Sequence, residues 1–285
     1  MVYVRGQRIR WMQALRFGLL MVLALFWLLP ILWMFATSFK PEVQIISLTP
    51  QWLPDKLSDL TLTHYANVLF EPRRLSMGRA FLNTLQLCIL IPTLVVTITS
   101  LAAYAFARLS FPGRDTLFLI LVLSMVIPGE ILLVPNFVTV WKFGWLNTYH
   151  AIIWPALAWA GSVFFLRQFL LGIPIELEDA ARIDGCSRFG IFYKVVLPLI
   201  RGAVVTQFFF VFLGTWNSFT WPYIVLTDLE KMTLPVALAQ LQGTYWSEYG
   251  KLTASAAIAA LPPALIFIIS QRLIIRSITL TGIKG

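Results

Sequence analysis

Long hydrophobic runs separated by short polar segments dominate the sequence. Six of these runs are nearly free of charge and reach about 20 residues or more, the length an α-helix needs to cross a bilayer. The pattern therefore predicts an all-α polytopic membrane protein with six transmembrane helices. The predicted helices are Phe17–Phe39 and segments within Ala80–Ala107, Thr116–Trp141, Phe143–Leu166, Gly202–Thr227 and Leu252–Gln271.

Positive charge is concentrated in segments that would share one side of the membrane. Most of the 22 lysines and arginines lie in the N-terminal segment, the second-to-third loop, the loop after the fourth helix with its flanks, and the C-terminal tail. The positive-inside tendency places these segments in the cytoplasm and predicts an N-in/C-in topology. The net charge of +9 is therefore explained by topology, without nucleic acid as a partner.

The longest charged stretch is the segment 174–198, which lies between the fourth and fifth hydrophobic runs. It predicts a short helix, a tight turn and a second helix. Pro174 suits the first helical turn, and Glu178 and Arg182 stand four residues apart, where they can pair. Gly185 can end the first helix in the left-handed conformation, and Ser187 can cap the second. An ordinary solvated loop with helix propensity is the alternative.

This segment resembles the EAA loop of bacterial ABC-importer permeases. The family pattern is Glu-Ala-Ala, three residues, Gly, nine residues, an aliphatic residue, one residue and Leu-Pro. Asp179-Ala180-Ala181, Gly185 and Val195-x-Leu197-Pro198 keep this spacing, with Asp for the usual Glu and Val for the usual Ile. The resemblance covers nearly the whole chain and is closest to carbohydrate permeases of the MalG and UgpE type. Further landmarks are FLNTL at 81–85, GWLNT at 144–148, FLRQF at 165–169 and LPPALIFIISQR at 261–272.

The resemblance implies the type I ABC importer permease fold and a role for the central loop. In such permeases this loop is the coupling helix, which docks into a groove on the cytosolic ATPase subunit. The implied partners are a second unlike permease subunit, two ATPase subunits and an extracytoplasmic solute-binding protein, assembled at the bacterial inner membrane. The residues implied in ATPase coupling are Glu178, Asp179, Ala180, Ala181, Arg182, Asp184, Gly185, Leu197 and Pro198.

These features together predict the layout of the chain. A cytoplasmic N-terminus is followed by the first helix, a long extracytoplasmic loop, the permease core with its coupling loop, and a cytoplasmic tail. The tail contacts the ATPases in a maltose-type relative, which implies the same role for Lys284 and Gly285. The predicted bounds are 1–16, 17–39, 40–78, 79–272 (with the coupling loop at 174–198) and 273–285.

Two constellations within the hydrophobic runs are candidates for the substrate pathway. Glu130 is the only acidic residue in these runs, and an ionisable group at that depth is a functional candidate by default. Trp216 and Asn217 combine an aromatic face with an amide, which is the chemistry that recognises a sugar. The alternatives are a structural carboxylate held by neighbouring helices and an Asn that bonds across packed helices.

Aromatic residues before the last helix are candidates for contact with the binding protein. Tyr245, Trp246 and Tyr249 lie in the predicted extracytoplasmic loop at 228–251. In similar sugar permeases, the corresponding loop reaches into the docked binding protein. Anchoring at the lipid headgroups explains the same residues equally well.

Motifs for chemistry carried by the chain itself are missing from the sequence. It contains no G-x-x-x-x-G-K-[ST] P-loop and no metalloprotease or nucleophile-elbow motif, and its two cysteines lack the neighbours of a metal site. We therefore expect a transport subunit without enzymatic activity, cofactor or metal, with ATP and Mg on the partner ATPase subunits.

Two other functions remain as alternatives, an ion-coupled secondary transporter and a membrane-embedded assembly or receptor subunit. The resemblance leaves the solute open among maltose-like oligosaccharides, trehalose, glucosylglycerol and glycerol 3-phosphate.

Overall fold

The fold of the chain is helical in every regular element that could be described. The computed structural model describes residues 3–47, 49, 51–70, 76–241 and 248–282. Throughout these ranges the regular elements are helices, which confirms the predicted all-α class. The chain divides into two compact units, Met1–Pro72 with Gln240–Ala259, and Arg73–Ala239 with Ala260–Gly285.

The first unit contains a long apolar helix and a folded loop. Large hydrophobic side chains are exposed on every side of the long helix, as expected for a helix surrounded by lipid. Its helices are α1 (Tyr3–Ser38), α2 (Glu42–Ile45), a 3-10 turn (Leu57–Asp59) and α3 (Thr63–Phe70).

Polar contacts of buried side chains hold the loop of the first unit together. The Lys40 ammonium donates to the Gln51 carbonyl and lies 4.8 Å from the centre of the Trp33 ring. Burial lowers the pKa of Lys40 from its ordinary value. The His64 ring is hydrogen-bonded to the Lys40 carbonyl at 2.8 Å. The loop thus carries a defined structure in spite of its prolines.

The second unit is built around one long helix, α4 (Met77–Arg108), which packs against α8 (Ala160–Leu171) and α12 (Arg201–Trp216). A further long helix, α15 (Tyr249–Gly282), begins in the first unit and ends in the second. The helices before it are α4 (Met77–Arg108), α5 (Arg114–Ser124), α6 (Leu133–Lys142), α7 (His150–Leu157), α8 (Ala160–Leu171), α9 (Glu176–Ile183), α10 (Arg188–Ile191), α11 (Leu197–Leu199), α12 (Arg201–Trp216), α13 (Thr220–Val225) and α14 (Leu234–Leu241).

Within the described residues, two apolar clusters lie in the core of the second unit, and α4 contributes to both. One cluster joins the C-terminal half of α4 to α8 and to the segment 191–203, with Leu166 and Val196 fully buried. The other joins the N-terminal half of α4 to α6, α7, α12 and α13, around Ile91 and Val211. A displacement of α4 would therefore disturb both clusters.

Only three of the predicted transmembrane segments are uninterrupted helices in the described part of the chain. These are Trp11–Ser38, Met77–Arg108 and Tyr249–Leu273. Three bent helix pairs are also long and apolar enough, which brings the total to the six predicted when each pair counts as one span. The bent pairs are Arg114–Ser124 with Gly129–Lys142 (93°), His150–Leu157 with Ala160–Leu171 (40°), and Arg188–Leu199 with Arg201–Trp216 (79°).

The third and fifth of these spans are each interrupted by a sharp bend. In the third, the backbone turns at Pro128, whose ring removes one helical hydrogen bond, and a 3-10 turn follows at Gly129–Leu132. In the fifth, α12 begins after the bend at Ile200 and ends at Trp216, short of the predicted boundary.

Candidate functional site

The first helix of the central loop is α9, and its start differs from the prediction. The N–H groups of Glu178 and Asp179 both donate to the Ile175 carbonyl, at 2.9 and 3.1 Å. Because the Ile175 carbonyl accepts the first hydrogen bonds of the helix, Pro174 lies just before the helix and not in its first turn. The three acidic residues of the first turn still lie at the positive end of the helix dipole.

The end of α9 confirms the predicted left-handed turn. Gly185 has φ +81°. Its N–H donates to the Arg182 carbonyl at 3.1 Å, and the Cys186 N–H donates to the Ala181 carbonyl at 3.0 Å. These two bonds form a Schellman motif, which satisfies carbonyl groups that the helix leaves unpaired. A residue with a side chain at position 185 would be strained in this conformation.

The second arm of the loop begins at the predicted cap. The Ser187 hydroxyl accepts a hydrogen bond from the Gly190 N–H at 3.1 Å. The chain then passes through α10 and one π-helical segment, Phe192–Val196, before it bends into α12. Leu197 packs at the edge of the adjacent core, whereas Pro198 is exposed.

The buried face of α9 carries a charged residue, Glu178, whose side chain is 1% exposed. Its Oε1 accepts a hydrogen bond from Arg108 Nε at 2.6 Å, and its Oε2 accepts one from the Tyr104 hydroxyl at 3.2 Å. The predicted pair between Glu178 and Arg182 was therefore wrong. Arg182 lies on the exposed side of the helix and pairs with Asp179 at 2.8 Å.

The opposite face of α9 is open to solvent. Glu176, Ala180 and Ile183 follow one another at helical spacing on this face, and Ile183 is 87% exposed. Asp184 and Gly185 are exposed at the turn that follows. Ile183 is thus an exposed apolar residue surrounded by charged ones, on a helix whose other face is buried. This combination is typical of a protein-docking surface.

A cavity of about 440 Å³ lies in the second unit, beside the C-terminal end of α12. Two indole rings, an amide and two hydroxyl groups line it together with aliphatic side chains. The lining residues are Ile91, Leu133, Asn136, Ile152, Pro155, Ala156, Ala158, Trp159, Val211, Gly214, Thr215, Ser218 and Trp221.

The predicted pathway pair lies next to this cavity in sequence but does not line it. Trp216 is 3% exposed, stacks on Phe212 and makes an edge contact with Phe81. The Asn217 amide donates to the Leu213 carbonyl of its own helix at 3.0 Å. The structure thus places Trp216 in the core and keeps the Asn217 amide within its own turn.

Glu130 lies at the bend between α5 and α6, in the 3-10 turn Gly129–Leu132. It is exposed, and its neighbours Ile127 and Ile131 are exposed as well. The structure therefore places this carboxylate at a break in the helix and outside the cavity lining.

One of the three aromatic candidates for binding-protein contact is described. Tyr249 is the first residue of α15 and is 48% exposed. Tyr245 and Trp246 lie outside the described residues, as do Lys284 and Gly285 of the tail. Among the residues that the structure describes, no cluster of three or more His, Cys, Asp or Glu side chains could hold a metal ion.

Sequence reasoning missed Arg108 and Tyr104 as residues of this site. Both lie at the end of a hydrophobic run, where Arg108 was counted only as a cytoplasmic charge. Arg167 also makes contacts within the fold, since its guanidinium lies 4.0 Å from the centre of the Phe118 ring. Its Nε donates to the Phe106 carbonyl at 3.3 Å. Both arginines thus bind within the fold.

Comparison with known proteins identifies the family. The profile described as "Binding-protein-dependent transport system inner membrane component" matches residues 5–280. The chain is 35% identical to the arabinooligosaccharides transport system permease protein AraQ of Halalkalibacterium halodurans, over 96% of each chain. It is 32% identical to the trehalose/maltose transport system permease protein MalG of Thermococcus litoralis, over 93% of this chain and 94% of the relative.

A solved structure shows the same fold. A chain of a bacterial ABC transporter involved in the import of the acidic polysaccharide alginate superposes with a TM-score of 0.80. The identity is 22%, and the match covers 92% of this chain and 96% of the other. The helical ABC-importer permease fold predicted from the resemblance is confirmed, and the family consists of transport subunits and not enzymes. The chain belongs to the inner membrane components of binding-protein-dependent transport systems.

Proposed function

We propose that this permease subunit passes a sugar or sugar-like solute from an extracytoplasmic binding protein to the cytoplasm, driven by ATP hydrolysis on partner subunits. The observation that carries the proposal is the geometry of α9. This helix is fixed on one face by Glu178 and presents Ala180 and Ile183 on the other. A helix that is held rigidly on one face and exposes apolar side chains on the other is suited to bind a second protein and to transmit its movement.

The proposed assembly contains this chain, a second unlike permease subunit, two ATPase subunits and a solute-binding protein, as a multi-pass complex of the bacterial inner membrane. ATP and Mg would bind to the ATPase subunits. Closure of the ATPase pair would move α9, and the helices packed on it would then open outward toward the loaded binding protein. Return after hydrolysis would open them inward.

The proposed docking surface is the exposed part of the central loop. Asp179 and Arg182 contribute charges to it, and Ala180 leaves room for close approach to the helix backbone. Gly185 keeps α9 short by ending it. Leu197 and Pro198 take part indirectly, because they lie where the second arm of the loop enters the membrane helices.

The proposed solute is a carbohydrate, because known relatives transport arabino-oligosaccharides and trehalose or maltose, as their names state. The cavity supports this choice. Trp159 and Trp221 offer ring faces for the C–H faces of a sugar, and Asn136, Thr215 and Ser218 offer hydrogen bonds. None of the residues that line the cavity is charged, which favours a neutral sugar over glycerol 3-phosphate. Glu130, Trp216 and Asn217 would then act from its surroundings.

The test is uptake into proteoliposomes that contain the whole transporter, with the binding protein outside and ATP inside. Labelled maltose, trehalose and an arabino-oligosaccharide would be offered in parallel with glycerol 3-phosphate. We expect ATP-dependent uptake of at least one sugar. We expect no uptake when a substitution of the P-loop lysine abolishes ATP hydrolysis by the ATPase. Uptake that follows an imposed proton or sodium gradient without ATP would overturn the proposal in favour of a secondary transporter.

One variant of the cavity and one control outside it test the cavity's part in the pathway. Thr215→Val removes a hydroxyl from the lining with little change in volume and should lower the rate of uptake. Thr97→Val is the matched control, because the Thr97 hydroxyl is on the exposed side of α4 and donates to the Thr93 carbonyl of its own helix. Equal uptake by both variants would remove the cavity from the pathway and leave the coupling proposal in place.

A further inference from the structure

We propose that Arg108 is a positioning residue that clamps α9 to the end of the central helix α4, and that Glu178 serves this clamp instead of contacting the ATPase. The inference rests on the proposed function of α9 as a coupling helix. It assigns Arg108 and Tyr104, which no motif marks, to the transmission of movement from the cytoplasmic loop to the membrane helices.

Arg108 joins three elements through one side chain. It is the last residue of α4, and its Nε lies 2.6 Å from Glu178 Oε1 on α9. Its second terminal nitrogen donates to the Ile173 carbonyl at 2.6 Å, just past the end of α8. Planar donors in a fixed fork can hold two acceptors at once, which a lysine cannot do with the same geometry.

The charges of this clamp are enclosed within the fold. The side chain of Arg108 is 9% exposed and that of Glu178 is 1% exposed. Both oxygens of Glu178 are occupied, one by Arg108 and the other by the Tyr104 hydroxyl. A buried charge that keeps its partners holds them in one arrangement, because moving either partner alone would leave the other uncompensated. Glu178 therefore has no free oxygen directed toward an ATPase.

The clamp also reaches the second arm of the loop. The Tyr104 ring lies 5.2 Å from the ring of Phe192, in the π-helical segment that leads to α12. Tyr104 and Phe192 belong to the same buried cluster as Leu166 and Leu170 of α8. Both arms of the loop are thus tied to α4 at one place, so α9 moves with α4.

The exposed pair on the same helix provides the contrast. Asp179 and Arg182 are both on α9, and each is at least half exposed. A pair within one helix cannot transmit movement to another helix, and exposed pairs of this kind contribute little stability. Among the ion pairs of α9 with described residues, the pair with Arg108 is the one that connects this helix to the membrane core.

The test uses the whole transporter in proteoliposomes and measures solute uptake and ATP hydrolysis in the same vesicles. The variants are Arg108→Gln, Arg108→Lys and the double variant Arg108→Met/Glu178→Leu. The double variant should assemble, because it removes both buried charges together. Arg79→Gln is the control, since it breaks an exposed arginine pair with Glu230 at the other end of α4.

We expect the double variant and Arg108→Gln to lower uptake per ATP hydrolysed by about tenfold. Arg108→Lys should retain an intermediate ratio, and Arg79→Gln should keep the wild-type ratio. A wild-type ratio in the assembled double variant would overturn the proposal, because the clamp would then serve stability alone. The proposed function fails separately if the wild-type protein shows no ATP-driven uptake in these vesicles.

Discussion

Glu42 caps the last long helix through Gly250. The Glu42 carboxylate accepts hydrogen bonds from the N–H groups of Tyr249 and Gly250 at 2.8 and 2.9 Å. These N–H groups belong to the first turn of α15 and have no partner within that helix. The negative charge also suits the positive end of the helix dipole. The folded loop of the first unit thereby fixes where α15 begins, and with it the position of Tyr249.

Gly250→Ala should destabilise the first unit, because a Cβ at this position would collide with the ring of His64. The expected loss in the free energy of unfolding is about 1–3 kcal/mol, which is typical of overpacking. His64→Ala in the same chain should relieve the collision, so the double variant should lose less than the sum of the two single variants. Thermal unfolding of the purified complex in detergent measures the four proteins.

The matched control for that cycle is Gly18→Ala, since nothing lies within 4 Å of a Cβ built at Gly18. Its midpoint of unfolding should equal the wild-type value or exceed it. Additive losses for Gly250→Ala and His64→Ala would contradict the packing of His64 on Gly250.

Asn83→Leu should also lower stability. The Asn83 amide donates to the carbonyls of Glu230 and Met232, at 2.8 and 3.0 Å. The neighbouring Thr84 hydroxyl accepts the Leu234 N–H at 2.7 Å. Leucine would leave the two carbonyls without this donor, at a cost of about 1–3 kcal/mol in the free energy of unfolding. Increased hydrogen exchange confined to residues 228–234 would show where the loss arises.

The control for Asn83→Leu is Thr97→Val on the exposed side of the same helix, which should change stability by less than about 0.5 kcal/mol. If the two variants unfold at the same temperature, the link between α4 and the segment 228–234 contributes nothing measurable.

Gly185→Val should uncouple ATP hydrolysis from transport. A branched side chain at φ +81° is strained by about 1–2 kcal/mol, and the end of α9 should shift to relieve it. Gly113→Val carries the same strain, since Gly113 has φ +80° and open space around it, but it lies in the turn before α5. Both variants should lose stability, and only Gly185→Val should lower the uptake per ATP hydrolysed. Equal coupling in both would place the ATPase contact elsewhere.

Local rules predicted the turn inside the central loop from the sequence. Gly185 and Ser187 each act within a few residues of themselves, so chain order alone determines the left-handed turn and the cap. The three uninterrupted transmembrane helices were predicted for the same reason, since length and apolar composition are properties of one segment.

Contacts between distant segments could not be predicted in this way. Glu178 has Arg182 one turn away, but its partner is Arg108, 70 positions earlier, because its face of α9 is the buried one. The cavity beside Trp159 likewise depends on how neighbouring helices pack. The position of Glu130 shows the same limit, because the hydrophobic run around it does not reveal that the carboxylate lies in a 3-10 turn between two helices.

The most direct measurement is affinity purification of the full chain in mild detergent. A non-hydrolysable ATP analogue would hold the ATPase subunits in their ATP-bound state. Mass spectrometry would then identify the proteins that co-purify with the chain. A second permease of unlike sequence and a P-loop ATPase are predicted, together with a cross-link to the ATPase from a cysteine introduced by Ile183→Cys. Recovery of the chain alone, repeated across detergents and after cross-linking, would contradict the role of α9 as a coupling helix.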